Sequence, residues 1–427
     1  MKKIIYLFAF AALFVACEKE EMSTPPLSVE DPLAEVIRIA QEGAAMLDDA
    51  QTRSVVARRI DRSSISCKIN PATRAGEADD TLYYVVNYAD NAGFAIVSAN
   101  ENASDGARLI AVTESGSYTA GEKTENEGFN MYIDMLSFGP PTTDSLITEN
   151  PGRFPGDILD SIVTLTDWVQ VQPMVSVTWD QGYPYNQFCP MQDKNPTQQS
   201  VVGCTAVAIG QIFAKHCHPA SFSCTFDDNE GNAYTTCTMD WVGINAYDWY
   251  YPYFSIYIEP VALFLREIGE RCGMVYNKES VSNIYNIASI LPSFGYQQPT
   301  IQNFHYVTVV SELTANRPVY MRGEYYDYNE DKYVGHAWVV DGYKSRDRDV
   351  AYYTYLDDGS YVLWETKHED FDYLHINWGY SGQWNGYFQK NVYNLGMAYE
   401  YDDGSYWPNS TEYTDNFLIL TNIIPNN

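Results

Sequence analysis

The sequence predicts an α+β protein in two units, a smaller one over residues 33–160 and a larger one over residues 161–427. Length is the first observation behind this, because 427 residues exceed what one ordinary hydrophobic core organises. The second is a stretch rich in Pro, Gly and Asp between Gly139 and about Asp160, which reads as a domain boundary. The third is the order of patterns beyond it. Helical apolar spacing comes first and strand-like runs later, which favours helices packed beside an antiparallel sheet over a regular βαβ alternation.

The elements follow in order. Residues 1–17 have the pattern of an export signal: Lys2 and Lys3, an apolar run from Ile4 to Val15, then the small Ala16 before Cys17. The run is too short for a comfortable membrane span. Phe14-Val15-Ala16-Cys17 resembles a bacterial lipoprotein box, whose thiol is acylated; the alternative is an ordinary secretory signal that carries Cys17 away with it. Residues 18–32 read as a tether, acidic at Glu18-Lys19-Glu20-Glu21 and Pro-rich after Ser23. From Leu33 to Met46 the apolar spacing is helical, with Leu33, Val36, Ile37 and Ala40 on one face. A Ser/Arg-rich segment, Arg53 to Arg74, comes next. Leu82–Tyr88 and Phe94–Ser98 then read as strands around a turn, with a third strand at Leu109–Thr113. Phe129 to Phe138 predicts a helix stopped by Gly139-Pro140-Pro141.

Beyond the boundary, Val175–Trp179 leads through a polar loop, Gln192 to Val202, to a small-residue helix at Cys204. Pro260–Arg271 and Val281–Leu291 predict further helices. Strands are expected at Pro318–Arg322, His336–Asp341, Val350–Tyr355, Tyr361–Glu365, Leu374–Trp378 and Leu418–Asn422.

Composition narrows the function. Apolar residues make up 45% and charged ones 19%, a globular balance, and the formal net charge is -30. Such an excess of carboxylates argues against a nucleic-acid partner, whose phosphates require clustered cations. Nothing in the chain calls for a cofactor, and His216-Cys217-His218 without further ligands is poor evidence for zinc. Cys224 and Cys237 flank a turn-rich stretch, so a hairpin centred on Glu230-Gly231 would set them opposite each other. They could bridge there or remain free thiols.

Two segments carry chemistry. In Val202-Gly203-Cys204-Thr205-Ala206-Val207-Ala208 a loop ends and a helix starts at Cys204, where unsatisfied N–H groups and the positive dipole end favour thiolate. In Gly335-His336-Ala337-Trp338-Val339-Val340-Asp341-Gly342 an imidazole opens a strand, the rigid placement that a general acid/base needs. His375 is the main rival; His216, His218, His305 and His368 are the others.

Together with Trp179-Asp180-Gln181-Gly182-Tyr183-Pro184-Tyr185-Asn186 and Asn377-Trp378-Gly379-Tyr380-Ser381-Gly382, these segments resemble, in order, the motifs of the streptopain family of papain-like cysteine peptidases. The N-terminal unit resembles that family's propeptide, above all at Gly93-Phe94-Ala95-Ile96-Val97-Ser98. The resemblance implies a papain-like peptidase domain behind a smaller α+β propeptide. Cys204 would be nucleophile and His336 its proton partner, Gln181 would donate to the oxyanion, and Asn377 with Trp378 would orient and shield the imidazole. It implies a zymogen acting on protein or peptide substrate, with its own propeptide as intramolecular inhibitor. The linker reading puts the activating cut near Phe154, and the lipoprotein-box pattern puts membrane contact only at lipid on Cys17. Competing readings are a non-catalytic surface binding lipoprotein on the same fold, and an amidase or acyltransferase with the same thiol chemistry. Ser381 stands where the family motif has a glycine. The stretch from Tyr343 to Tyr373 is longer than expected and suggests an extra hairpin, and Met397 to Glu412 replaces a glycine-rich loop.

Overall fold

The computed structural model describes residues 32–48, 58–69, 81–100, 108–136, 160–226, 236–327, 332–355, 360–394 and 417–426. Cys17, the Phe154 linker, the Asp357-Asp358-Gly359 turn and the Met397–Glu412 segment lie outside the described residues.

One twelve-stranded sheet carries both parts of the chain. Its N-terminal strands are β1 (Ile60–Ile69), β2 (Thr81–Tyr88), β3 (Phe94–Ser98) and β4 (Leu109–Thr113). Two more, β5 (Asp160–Leu165) and β6 (Val169–Val171), follow the boundary region. The rest are β7 (Thr300–Asn303), β8 (Val319–Asp327), β9 (Lys332–Tyr355), β10 (Tyr361–Asn377), β11 (Gly386–Gln389) and β12 (Leu418–Thr421). The spatial order is β1-β2-β3-β4-β11-β10-β9-β8-β12-β7, with β5 and β6 paired to β9. The two units meet inside the sheet, because β4 pairs antiparallel with β11 in the register Thr113–Gly386, Val112–Tyr387 and Ala111–Phe388.

Alternation along the strands assigns helices to the two faces. Ala95, Val97 and Val112 join Val36, Ile39 and Ala40 of α1 (Pro32–Asp48), and Phe371, Tyr373 and Tyr387 complete that core from β10 and β11. Phe94, Ile96 and Ile110 face α2 (Glu127–Leu136), whose Phe129, Met131 and Tyr132 pack onto Trp338, Trp378 and Phe388. β3 and β4 are therefore buried on both faces, which explains their unbroken apolar runs. Along β9 the parity continues. Trp338 and Val340 belong to the α2 side, whereas Ala337 and Val339 pack with α3 (Cys204–His216) in a separate helical core. That core also holds α4 (Trp241–Ala246), α5 (Ile258–Arg271) and α6 (Ile284–Ile290).

Four expectations change. The Ser/Arg-rich segment, for which no element is expected, contains β1, paired to β2. Tyr306–Thr314 forms an additional helix, α7. The strands expected separately at His336 and Val350 are one strand, as are those at Tyr361 and Leu374. They pair from Val339–Asn377 out to Tyr355–Tyr361, so the long insertion is an extension of the central hairpin. Cys237 pairs with Phe222 rather than with Cys224, two residues away from the register a bridge requires, and both cysteines are free thiols. Among the described residues, no helix is long and apolar enough to cross a membrane.

Candidate active site

The nucleophile candidate sits where a helix must begin. Gly203 has φ 95, a left-handed conformation that suits glycine, and a Cβ there would lie 2.8 Å from Met274 Cε. Cys204 is thus the first residue of α3, capped by no side chain, with Thr205 through Ala214 buried behind it. Its sulfur lies against β9, where the Ala337 N–H favours the thiolate. His336 is buried on the neighbouring position of the same strand, with Trp338 near-parallel to its ring at 6.3 Å and Tyr380 tilted against it at 5.4 Å.

The two are brought to one place without being hydrogen-bonded to each other. His336 Nε2 bonds to the Trp378 carbonyl oxygen at 3.0 Å, and Nδ1 has no partner among the described residues. The reason lies in the N-terminal unit. Asn126 caps α2 by accepting the Phe129 N–H at 2.9 Å, and this brings Glu127 and Gly128 onto the imidazole. A Cβ on Gly128 would lie 2.5 Å from His336 Cδ2 and 2.9 Å from Trp378 Cε3, so only a glycine allows this approach.

Burial outweighs the helix dipole in this state. It pushes the Cys204 thiol up; the Ala337 N–H opposes that, and the Glu127 carboxylate adds to it. Burial also pulls the His336 imidazole down, against the Trp378 carbonyl and Glu127. Both shifts disfavour the thiolate and imidazolium forms while the pair is buried in this way. In the intact chain, alkylation of Cys204 by iodoacetamide, followed at the peptide level, should be slow at pH 7. It should rise only as pH passes the ordinary thiol range, because a raised pKa delays the reactive anion. An unchanged rate down to pH 6 would contradict this.

Gln181 lies in the loop before α3, and its carbonyl accepts the Val202 N–H at 2.9 Å, two residues ahead of Cys204. Asn377 does not hold the imidazole. Its Nδ2 donates to the Val177 carbonyl at 3.1 Å, and its Oδ1 accepts the Gly379 N–H at 3.1 Å, so it shapes the loop. The Trp378 indole packs at 5.2 Å from Trp338 and donates Nε1–H to the Trp384 carbonyl at 3.0 Å. The main-chain carbonyl of residue 378 is thus what touches His336. A main-chain acceptor leaves no trace in residue type, and neither did Glu127 stand out. Gly128, a glycine in the first turn just ahead of the apolar run from Phe129, is the signal that could have found the contact.

The rival His375 is committed elsewhere. Its Nδ1 bonds to Asp341 Oδ1 at 2.6 Å, and Nε2 lies 3.5 Å from Glu114. Burial alone would lower its pKa; the Asp341 and Glu114 carboxylates overcome burial and push it up to about 10. Asp341 Oδ2 also accepts the Val175 N–H at 2.9 Å, anchoring the chain that leads to Gln181. His218 Nε2 bonds to the Phe294 carbonyl at 2.9 Å. Asp347, His368 and Asp370 bring ligand-type atoms within 4.8 Å of one another, but they stand exposed on the hairpin extension.

Residues 179–388 match the Peptidase C10 family and residues 46–137 match the Spi protease inhibitor. Streptopain of Streptococcus pyogenes is 24% identical over 367 residues, covering 78% of this chain and 80% of that protein. The thiol protease/hemagglutinin PrtT of Porphyromonas gingivalis is 24% identical over 372 residues, covering 81% of this chain; the match spans only 38% of that protein. The structure of a Prevotella intermedia prointerpain A fragment superposes with a TM-score of 0.50 at 19% identity, covering 85% of this chain and 100% of the fragment. The inhibitor-like segment supplies α2, which reaches His336, and the peptidase segment supplies Cys204, His336 and Trp378. The chain belongs to the Peptidase C10 family of cysteine peptidases and carries a Spi-type inhibitory propeptide ahead of its peptidase segment.

Proposed function

We propose that the chain is an exported cysteine endopeptidase made as a zymogen, with the propeptide spanning residues 33–160 and the enzyme residues 161–427. In the freed enzyme the Cys204 thiolate attacks the scissile carbonyl carbon, and Gln181 with the Cys204 N–H receives the oxyanion. His336 gives its proton to the departing amine as the C–N bond breaks. Water then hydrolyses the thioester, with His336 taking a proton from it. Trp378 walls the pair from solvent, and Asn377 holds the loop that presents the residue 378 carbonyl.

The observation that carries this reading is the place of α2. A helix from the inhibitor-like segment lies on the imidazole, at the point a latent peptidase must block. Cutting the linker near Phe154 frees the enzyme, and where Cys17 bears lipid it also releases the enzyme from its anchor. A peptide-like thiol-reactive inhibitor should label Cys204 in the converted protein and hardly at all in the intact chain. A peptide library should then yield internal cleavages. Absence of labelling after conversion would favour a non-catalytic binding protein, and removal of terminal residues alone would overturn the endopeptidase assignment.

A further inference from the structure

The loop that carries Gln181 is tied to the loop after Trp378 by a pair of side chains. Ser381 Oγ donates to Asp180 Oδ2 at 2.8 Å, and Asp180 Oδ1 accepts the Gly182 N–H at 2.9 Å. The Ser381 N–H donates to the Trp179 carbonyl at 3.2 Å. On the other flank, the Gln181 carbonyl is held by the Val202 N–H at 2.9 Å. Main chain on both sides of Gln181 is therefore fixed, and one of the fixing partners belongs to the loop that holds His336.

The conformation of Ser381 adds weight. Its φ is 52, in the left-handed region that disfavours side chains, at the position where the resembled motif has a glycine. What a serine adds there is its hydroxyl, and that hydroxyl is spent on Asp180. A hydrogen bond to a carboxylate is stronger and more directional than a neutral one, which suits it to fixing a loop.

We infer that Asp180 and Ser381 form a clamp that positions the Gln181 amide for the oxyanion by locking its loop to the Trp378 loop. The inference rests on the peptidase reading above. Both are positioning residues, since neither touches the reacting atoms. The clamp couples two parts of the catalytic centre, so loosening it disturbs the oxyanion donor while leaving the thiol at the start of α3 in place.

The test uses full-length variants converted by an added serine protease that is then inhibited, assayed on a small peptide substrate. Losing an oxyanion donor costs about 10²–10³ in rate, so displacing one through Asp180→Ala is expected to lower kcat about tenfold, with KM within about twofold. Ser381→Ala, which removes only the hydroxyl, should act in the same direction and serves if Asp180→Ala folds poorly. Iodoacetamide alkylation of Cys204 should keep its wild-type rate, and Asp180→Ala combined with Gln181→Ala should be no slower than Gln181→Ala alone. An unchanged kcat in both single variants would overturn the clamp, as would multiplying losses in the double variant or a parallel fall in alkylation. Retained activity in Cys204→Ala would instead sink the peptidase reading.

Discussion

A full-length Cys204→Ala chain is expected to stay uncut while the wild-type chain converts, and to lose peptide hydrolysis by about 10⁴-fold or more. The magnitude follows from the chemistry. Without sulfur no acyl-enzyme forms, and only oriented water remains to attack the carbonyl. No other described cysteine can take over. Cys189 and Cys272 are buried in the helical core, while Cys67 lies on β1 and Cys217 at the far end of α3. Cys237 lies in a short ribbon beside α5, paired with Phe222, and Cys224 lies two residues beyond Phe222. The substitution also leaves the fold little changed, because alanine suits the first turn of a helix. Intact-mass measurement of both proteins over a time course reads the conversion directly. Conversion of the variant at the wild-type rate, in a preparation free of other proteases, would refute self-processing, and full hydrolysis of a peptide substrate would remove Cys204 from the mechanism.

Much of this arrangement was legible in the chain because local chemistry dictates it. Gly203 and the small residues after Cys204 mark a helix that starts at the thiol and packs closely, and α3 is that helix. The apolar runs at Phe94–Ser98 and Leu109–Thr113 give strands with those same bounds. Where local pattern fails, long-range pairing has decided. The middle of β9 (Lys344–Asp349) and of β10 (Thr366–Asp370) is polar on both faces, so no period-two signal joined the strand runs at either end; cross-strand partners such as Arg348 and Glu369 do. The two-residue offset that parts Cys224 from Cys237 depends on the turn between them, which symmetry of spacing could not supply. Least legible was the latent state itself. The sequence pattern described the chemistry of the freed enzyme, whereas the intact chain adds a helix more than two hundred residues before His336, whose Gly128 lies against the imidazole.

That contact yields the second large expectation. Gly128→Val should release the latency of the intact chain, raising labelling of Cys204 by a peptide-like thiol inhibitor about tenfold or more before any cut, since overpacking a tight contact costs roughly 1–3 kcal/mol and 1.4 kcal/mol is a factor of ten. The new Cβ alone would lie 2.5 Å from His336 Cδ2 and 3.0 Å from Trp378 Cζ3. Neither ring can yield easily. Trp378 is wedged among Trp338, Phe129 and Phe388, and His336 is tied to the 378 carbonyl. Under the proposed activation, in which α2 parts from the peptidase segment, the strain falls on α2. As α2 backs away, His336 loses the wall beside it and Glu127 withdraws from the thiol, so the imidazole can turn to Cys204 and the ion pair can form. Initial labelling rates on protein shown by intact mass to be uncut separate this from faster processing. Labelling at or below the wild-type rate in a folded Gly128→Val chain would mean that the imidazole gives way instead of the helix. Latency would then depend on the bond between His336 and the 378 carbonyl more than on the close approach of α2.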